Sequence, residues 1–183
     1  MKYEKPITLQ NGMECVLRSA NAADAKEVYD NFNLTHGQTD FLLSYPEENS
    51  YDVEQEGKFL AEKESSADEV ELCAVVGGRI IGTASIETIG RKDKVKHRTE
   101  FGISIDKEYW GLGIGRALTE ACIECAKKAG CLQIELSVVA ANVTAISLYE
   151  KVGFVEYGRN PRGFRSRTSG WQEIILMRLP FDE

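Results

Sequence analysis

The chain has 183 residues, 43% of them hydrophobic and 28% charged, with a formal net charge of −7. That is enough apolar material for one ordinary core, and no apolar run is long enough to span a bilayer. The charge is uneven: residues 1–90 carry 7 Lys+Arg against 17 Asp+Glu, and residues 91–183 carry 15 against 12. This balance argues against a general nucleic-acid binder, and it suits a protein that holds an anion with its C-terminal half and meets a cation with its N-terminal half.

The first residues, MKYEKPITLQNG, contain no apolar segment of the kind a signal peptide needs, so none is expected. A strand is expected over residues 14–20 and a helix over 21–35, with Asn21 or Asp24 near its start. Sparse apolar residues at helical spacing predict a second helix within residues 45–66. Two strand-like runs, residues 69–78 and 79–90, meet at Gly77-Gly78, a hairpin signal. Residues 97–106 form the next strand, with Phe101, Ile103 and Ile105 on one face. After residue 113 the apolar positions Ile114, Leu118, Ala121, Cys122 and Cys125 recur at three- and four-residue steps, predicting an amphipathic helix. A β-branched strand over 132–140, a short helix over 142–154 and two closing strands around an Arg-rich loop complete the chain. The reading is one α/β domain with a mixed sheet and helices flanking it.

The chemistry concentrates where the strand at 97–106 gives way to the helix. Gly111, Gly113 and Gly115 stand at alternate positions there. A helix N-terminus exposes unpaired backbone N–H groups and the positive end of the helix dipole, and bare glycines let a phosphate approach. A Walker A loop would need Lys where Arg116 stands and Ser or Thr at Ala117. A dinucleotide fingerprint would need a third glycine at Arg116. Coenzyme A remains, beside the alternative of a tight turn that binds nothing.

The segment Trp110-Gly111-Leu112-Gly113-Ile114-Gly115 resembles the [QR]-x-x-G-x-[GA] signature of the GCN5-related N-acetyltransferases, with Trp in place of the first Gln or Arg. The variant is similar to the branch of ribosomal-protein alanine acetyltransferases. A second signature of that family, N-x-x-A-x-x-L-Y-x-x-x-G-F, is matched by Asn142, Ala145, Leu148, Tyr149, Gly153 and Phe154. The resemblance implies the family's single-domain fold. It makes residues 1–90 the acceptor side and about 95–160 the acetyl-CoA core.

The resemblance further implies that backbone groups of Ile103, Ser104 and Ile105 pair with the pantetheine arm. The N–H groups of Gly111, Leu112, Gly113, Ile114, Gly115 and Arg116 would hold the pyrophosphate, with the Arg116 side chain assisting. Asn142 would touch the cofactor arm, cap its helix, or both. Tyr149 would protonate the departing thiolate, and a backbone N–H, that of Ile105, would stabilise the oxyanion. An amine with a reference pKa of roughly 10.4 must lose a proton before it attacks. Some relatives use a Glu five residues before the Asn; here that position is Ser137, so Glu100 is the preferred base and Glu135 the other candidate.

The implied activity is acetyl transfer from acetyl-CoA to a primary amine; a silent CoA-binding sensor of the same fold is the alternative. The expected partner is the amine acceptor, a small molecule or a protein N-terminus. A homodimer is compatible with the sequence, and no nucleic acid, membrane or metal partner is expected. Arg159, Arg162, Arg165 and Arg167 are expected to share one loop, as a lip over the acceptor site that recognises a carboxylate, as a clamp on a CoA phosphate, or as solvated, mobile surface. The five cysteines are odd in number and sit in apolar segments, which predicts reduced core thiols in a cytoplasmic protein. Cys122 and Cys125 are read as core on the same grounds.

Overall fold

The computed structural model describes residues 1–181. The chain enters as a hairpin, β1 (Glu4–Thr8) and β2 (Glu14–Ser19). Two helices follow, α1 (Ala25–Gln38) and α2 (Val53–Ser65). Next comes an antiparallel run of β3 (Val70–Val76), β4 (Arg79–Thr88) and β5 (Arg98–Ile105). Helix α3 (Ile114–Lys128) carries the chain to β6 (Gln133–Val139). Helix α4 (Val143–Lys151) then leads into the closing hairpin, β7 (Val155–Ser166) and β8 (Gly170–Pro180). The eight strands form one sheet in the order β1-β2-β3-β4-β5-β6-β8-β7.

Apolar side chains cover both faces. Leu118, Ala121, Cys122 and Cys125 of α3 are fully buried against Leu72, Ala84, Phe101 and Ile134. That is the face the three-and-four spacing of α3 predicts. On the opposite face Val28 of α1 and Leu60 of α2 pack with Cys73 and Ile80. All five cysteines are free and buried. Among the described residues, no helix is long and apolar enough to cross a membrane.

Two expectations need correction. Residues 4–8 add an edge strand that the sequence reading did not contain. Pro6 and the lack of apolar alternation hide it, and its pairing with β2 alone tolerates the proline. The Arg-rich segment is not a loop: Arg159, Arg162 and Arg165 lie within β7, and only Arg167 falls in the turn. Gly158, Pro161 and Gly163 read as loop residues, but bulges at Glu156/Gly158 and Asn160/Phe164 absorb them on this edge strand. The turn is docked rather than loose. The Asp40 carboxylate accepts hydrogen bonds from the Ser166 and Ser169 hydroxyls, each at 2.7 Å, and from Gln172 Nε2 at 3.2 Å.

Every neighbouring pair of strands is antiparallel except β5 and β6. That parallel pair is short: Arg98, Thr99 and Glu100 pair with Gln133, Ile134 and Glu135, and there the ladder stops. Arg98, at its first pair, reaches along it to Glu135, at its last, with Arg98 Nη2 to Glu135 Oε2 at 2.7 Å and a second bond from Nε. The Glu135 side chain is 7% exposed and that of Arg98 34%, so the carboxylate is sheltered while the guanidinium still meets water.

The Arg98 guanidinium, aided by Gln133 and Tyr157, holds the Glu135 carboxyl below the usual carboxylate range. The stability this contributes is therefore present above the ordinary glutamate pKa and is lost as pH falls through the depressed one. We expect Glu135→Ala to cost about 1–2 kcal/mol at neutral pH, because the guanidinium it leaves unpaired is still partly open to water. Urea unfolding at neutral and acidic pH measures this, and the gap to the unmodified chain should narrow in acid.

Candidate active site

Beyond Glu100 and Glu135 the two parallel strands part, while each keeps its outer partner. β5 stays paired with β4 through Ile105, and β6 with β8 through Val139. The open end of β5 is fixed by Asp106, which is 1% exposed. Its carboxylate accepts from Gln38 Nε2 and Arg79 Nη2, both at 3.0 Å. The result is a wedge between two strands whose outer edges are held by β4 and β8.

The register fixes which backbone groups face the wedge. Ile89 N donates to Arg98 O, and Asp106 N donates to Ile81 O. In an antiparallel ladder such bonds recur at every second residue, so the even-numbered residues of β5 bond to β4. Ile103 and Ile105 then direct their N–H and C=O groups into the wedge. Ser104 spends its backbone on β4, opposite Thr83, and its side chain lies on the face carrying α1 and α2. Ile105 O accepts from Trp110 Nε1 at 2.8 Å, which leaves the Ile105 N–H as the free group. The sequence reading gave Trp110 no role. Its position is one where Gln or Arg, also donors, are common, and that was the signal available.

The glycine run sits at the mouth of the wedge. Gly111 and Gly113 have φ of 76° and 92°, a region where glycine alone rests without strain. Gly113 caps α3 with no side chain, so the N–H groups of the first turn, Ile114, Gly115 and Arg116, have no partner within the helix. Leu112 O is held by Gln10 N at 3.2 Å, which ties the run to the β1–β2 turn. A Cβ at Gly115 would meet Ile105 and Leu148 side chains at 3.5 Å, so α3 starts in contact with both β5 and α4. Arg116 is engaged elsewhere: its Nε donates to Glu120 Oε1 at 2.8 Å on the exposed helix surface. Asn142 caps α4, its Oδ1 accepting from Ala145 N at 3.3 Å.

Tyr149 lies on the buried side of α4, 6% exposed. Its ring meets Phe101 of β5 edge-on at 6.1 Å and Phe154 at 5.8 Å. Burial alone pushes its hydroxyl pKa far up, so it carries its proton at any physiological pH.

Glu100 is exposed at the apex, the last β5 residue paired with β6. The two carboxylates beside it are both occupied. Glu87 opposite it lies 3.2 Å from Lys63 Nζ, and Glu135 is clamped by Arg98. Glu135 is therefore a weak base, whereas Glu100 makes no ion pair among the described residues. Ser137 is exposed on the same face of β6 as Glu135.

Two cavities open on the face that carries α1 and α2. One of about 230 Å³ lies between residues 39–45 and the β7–β8 turn, and includes Asp40, Tyr45 and Arg165. The other, about 390 Å³, lies under α1 and α2 over β3 and β4, and is lined by Glu48, Glu56, Glu71 and Glu87. No sequence pattern announces this acidic group, because its members come from four separate segments.

Comparison with known proteins identifies the class of protein in which this wedge and the glycine-opened start of α3 occur. Residues 30–154 match the acetyltransferase (GNAT) family, and the chain belongs to it. The [ribosomal protein bS18]-alanine N-acetyltransferase of Escherichia coli K12 is 40% identical over 82 residues, 45% of this chain and 55% of that protein. The chain thus matches only about half the length of that curated relative. A GNAT-family acetyltransferase from Streptococcus pneumoniae superposes with a TM-score of 0.87 at 30% identity, covering 91% of this chain and 99% of that one. A putative acetyltransferase from Salmonella typhimurium, solved with its cofactor acetyl-CoA, shares the fold at a TM-score of 0.78 and 21% identity, covering 92% and 95%.

Burial pushes the Glu71 carboxyl up to about 8. A glutamate whose folded pKa lies above its unfolded value costs stability as pH rises between the two. Glu71→Gln should therefore raise the melting temperature at about pH 9 and change it little at about pH 4, which thermal melts at the two pH values would read.

Proposed function

We propose that the chain is an acetyl-CoA-dependent N-acetyltransferase acting on a primary amine by direct attack. The observation that carries this reading is the wedge itself: free backbone groups of Ile103 and Ile105 on one side, and the glycine-opened start of α3 at its mouth. The residues present fit the cofactor. The odd-numbered groups of β5 offer a strand edge to an amide-bearing arm, and the N–H groups of residues 111–116 offer the anion site. When bound, acetyl-CoA supplies an activated acetyl thioester.

The chain's own groups then have distinct tasks. The Ile105 N–H, its carbonyl already fixed by Trp110, stabilises the negative charge that develops on the thioester oxygen. Tyr149 holds a proton for the departing sulfur. Glu100 accepts, through water, the proton that the amine must lose. Ser104 and Arg116 contribute at the edges, Ser104 by its side chain on the acceptor face and Arg116 by its first-turn N–H. Asn142 acts by starting α4 where Tyr149 faces the core. Residues 1–90 build the acceptor side, residues 95–160 the cofactor side, and the whole chain acts as one domain in the cytoplasm.

Acetyl-CoA titration by calorimetry, with a thiol-release assay on a panel of amines, tests the reading. Binding with turnover on one amine class is expected, and binding with no turnover on any amine would overturn it in favour of a silent sensor. Gly113→Val should abolish acetyl-CoA binding while the circular dichroism of the chain is kept. Tyr149→Phe should bind acetyl-CoA normally and lower kcat about 10²-fold. Glu100→Gln should lower activity chiefly below the pH at which the amine deprotonates unaided, and a uniform loss across pH would remove Glu100 as the base.

A further inference from the structure

The acidic cavity is not needed to hold acetyl-CoA, and its composition is specific. Four carboxylates, Glu48, Glu56, Glu71 and Glu87, line about 390 Å³ together with the rings of Phe32, Tyr51 and Phe59. Carboxylates interleaved with aromatic faces are the surroundings in which an ammonium group is held best. Two of the acids are already engaged: Glu48 Oε2 accepts from Tyr45 N at 2.8 Å, and Glu87 lies 3.2 Å from Lys63 Nζ. Lys63 also serves Glu69 at 2.9 Å and lies over the Phe59 ring at 5.0 Å, so one resident ammonium is shared among several acids of the group.

Glu56 is the telling residue. It is 7% exposed, lines the cavity, and its carboxylate has no hydrogen-bond or ion-pair partner among the described residues. Its oxygens are not among the fully buried unpartnered atoms, so they keep access to the cavity and offer an incoming cation an unpaired acceptor.

The cavity is in line with the wedge. Glu71 of β3 pairs with Ser85 of β4, and Ser85 pairs with Gly102 of β5. This row crosses two strand spacings, about 10 Å, on one face of the sheet. Gly102, which has no side chain, leaves the last step of that row bare.

We propose that the cavity receives the distal ammonium of a small di- or polyamine acceptor whose other amine lies at the β5–β6 wedge. The inference rests on the N-acetyltransferase reading and names its substrate class. Burial pushes both Glu56 and Glu71 upward, the direction expected of carboxyls that wait for a cation.

Calorimetric titration of the chain with diaminooctane and with octylamine, which share a carbon chain and differ in one ammonium, tests it. The diamine should bind about tenfold more tightly or better, and Glu56→Gln and Glu71→Gln should each erase most of that advantage. The melting curve of each variant checks folding, and the two isosteric changes guard against the failure of either one. In the thiol-release assay, Glu56→Gln should raise KM for the diamine and leave its kcat within about twofold. Equal affinities for the two amines, or variants that bind the diamine like the unmodified chain, would overturn the proposal. If acetyl-CoA binds and octylamine is acetylated while the diamine gains nothing, the inference falls and the transferase reading stands. If the diamine binds through Glu56 but acetyl-CoA does not bind, the transferase reading falls and takes the acceptor role of the cavity with it.

Discussion

The parallel contact of β5 with β6 governs this structure. It lasts for three residue pairs, is clamped by Arg98 and Glu135, and then opens. Strand edges normally pair along their whole length, because an unpaired N–H or C=O away from water is expensive. Here β4 and β8 hold the outer edges of both strands, Asp106 fixes the end of β5, and α3 and α4 start at the open mouth. The wedge is thus a built opening, and the backbone groups inside it are free because the fold directs them there.

The sheet divides the chemistry between its two faces. On the face of α3 and α4 lie Phe101, Tyr149, Phe154 and the start of α3, an apolar wall with unpaired helix N–H groups at its rim. On the face of α1 and α2 lie Glu71, Glu87, Glu100, Glu135 and the two cavities. Acidic side chains from both halves of the chain thus gather on one surface of the sheet, and the start of α3, with its unpaired N–H groups, lies on the other.

What the sequence made legible is what is local in the chain. The Gly111, Gly113 and Gly115 run, the α3 periodicity and the register from Asn142 to Phe154 each lie within one segment, and each reappears in the structure where the spacing places it. The alternation of Phe101, Ile103 and Ile105 assigned the core-facing side of β5, whereas the resemblance put the Ser104 backbone beside those of Ile103 and Ile105, and the register turns it to β4 instead. Features that depend on distant partners were hidden. Glu135 read as an odd charge in an apolar strand until Arg98, on another strand, explained it. The β7 arginines read as a loop because Gly and Pro dominate locally, whereas pairing with β8 decides their conformation. The glutamates of the acidic cavity are scattered from residue 48 to residue 87, and no spacing rule gathers them.

Amide hydrogen exchange resolved along β5 tests the wedge most directly. In the free chain, Gly102 and Ser104 should exchange slowly and Ile103 and Ile105 fast, an alternation within one strand, and acetyl-CoA should slow Ile103, Ile105 and residues 111–116. Uniform protection along β5 in the free chain, or no added protection with acetyl-CoA, would contradict the account.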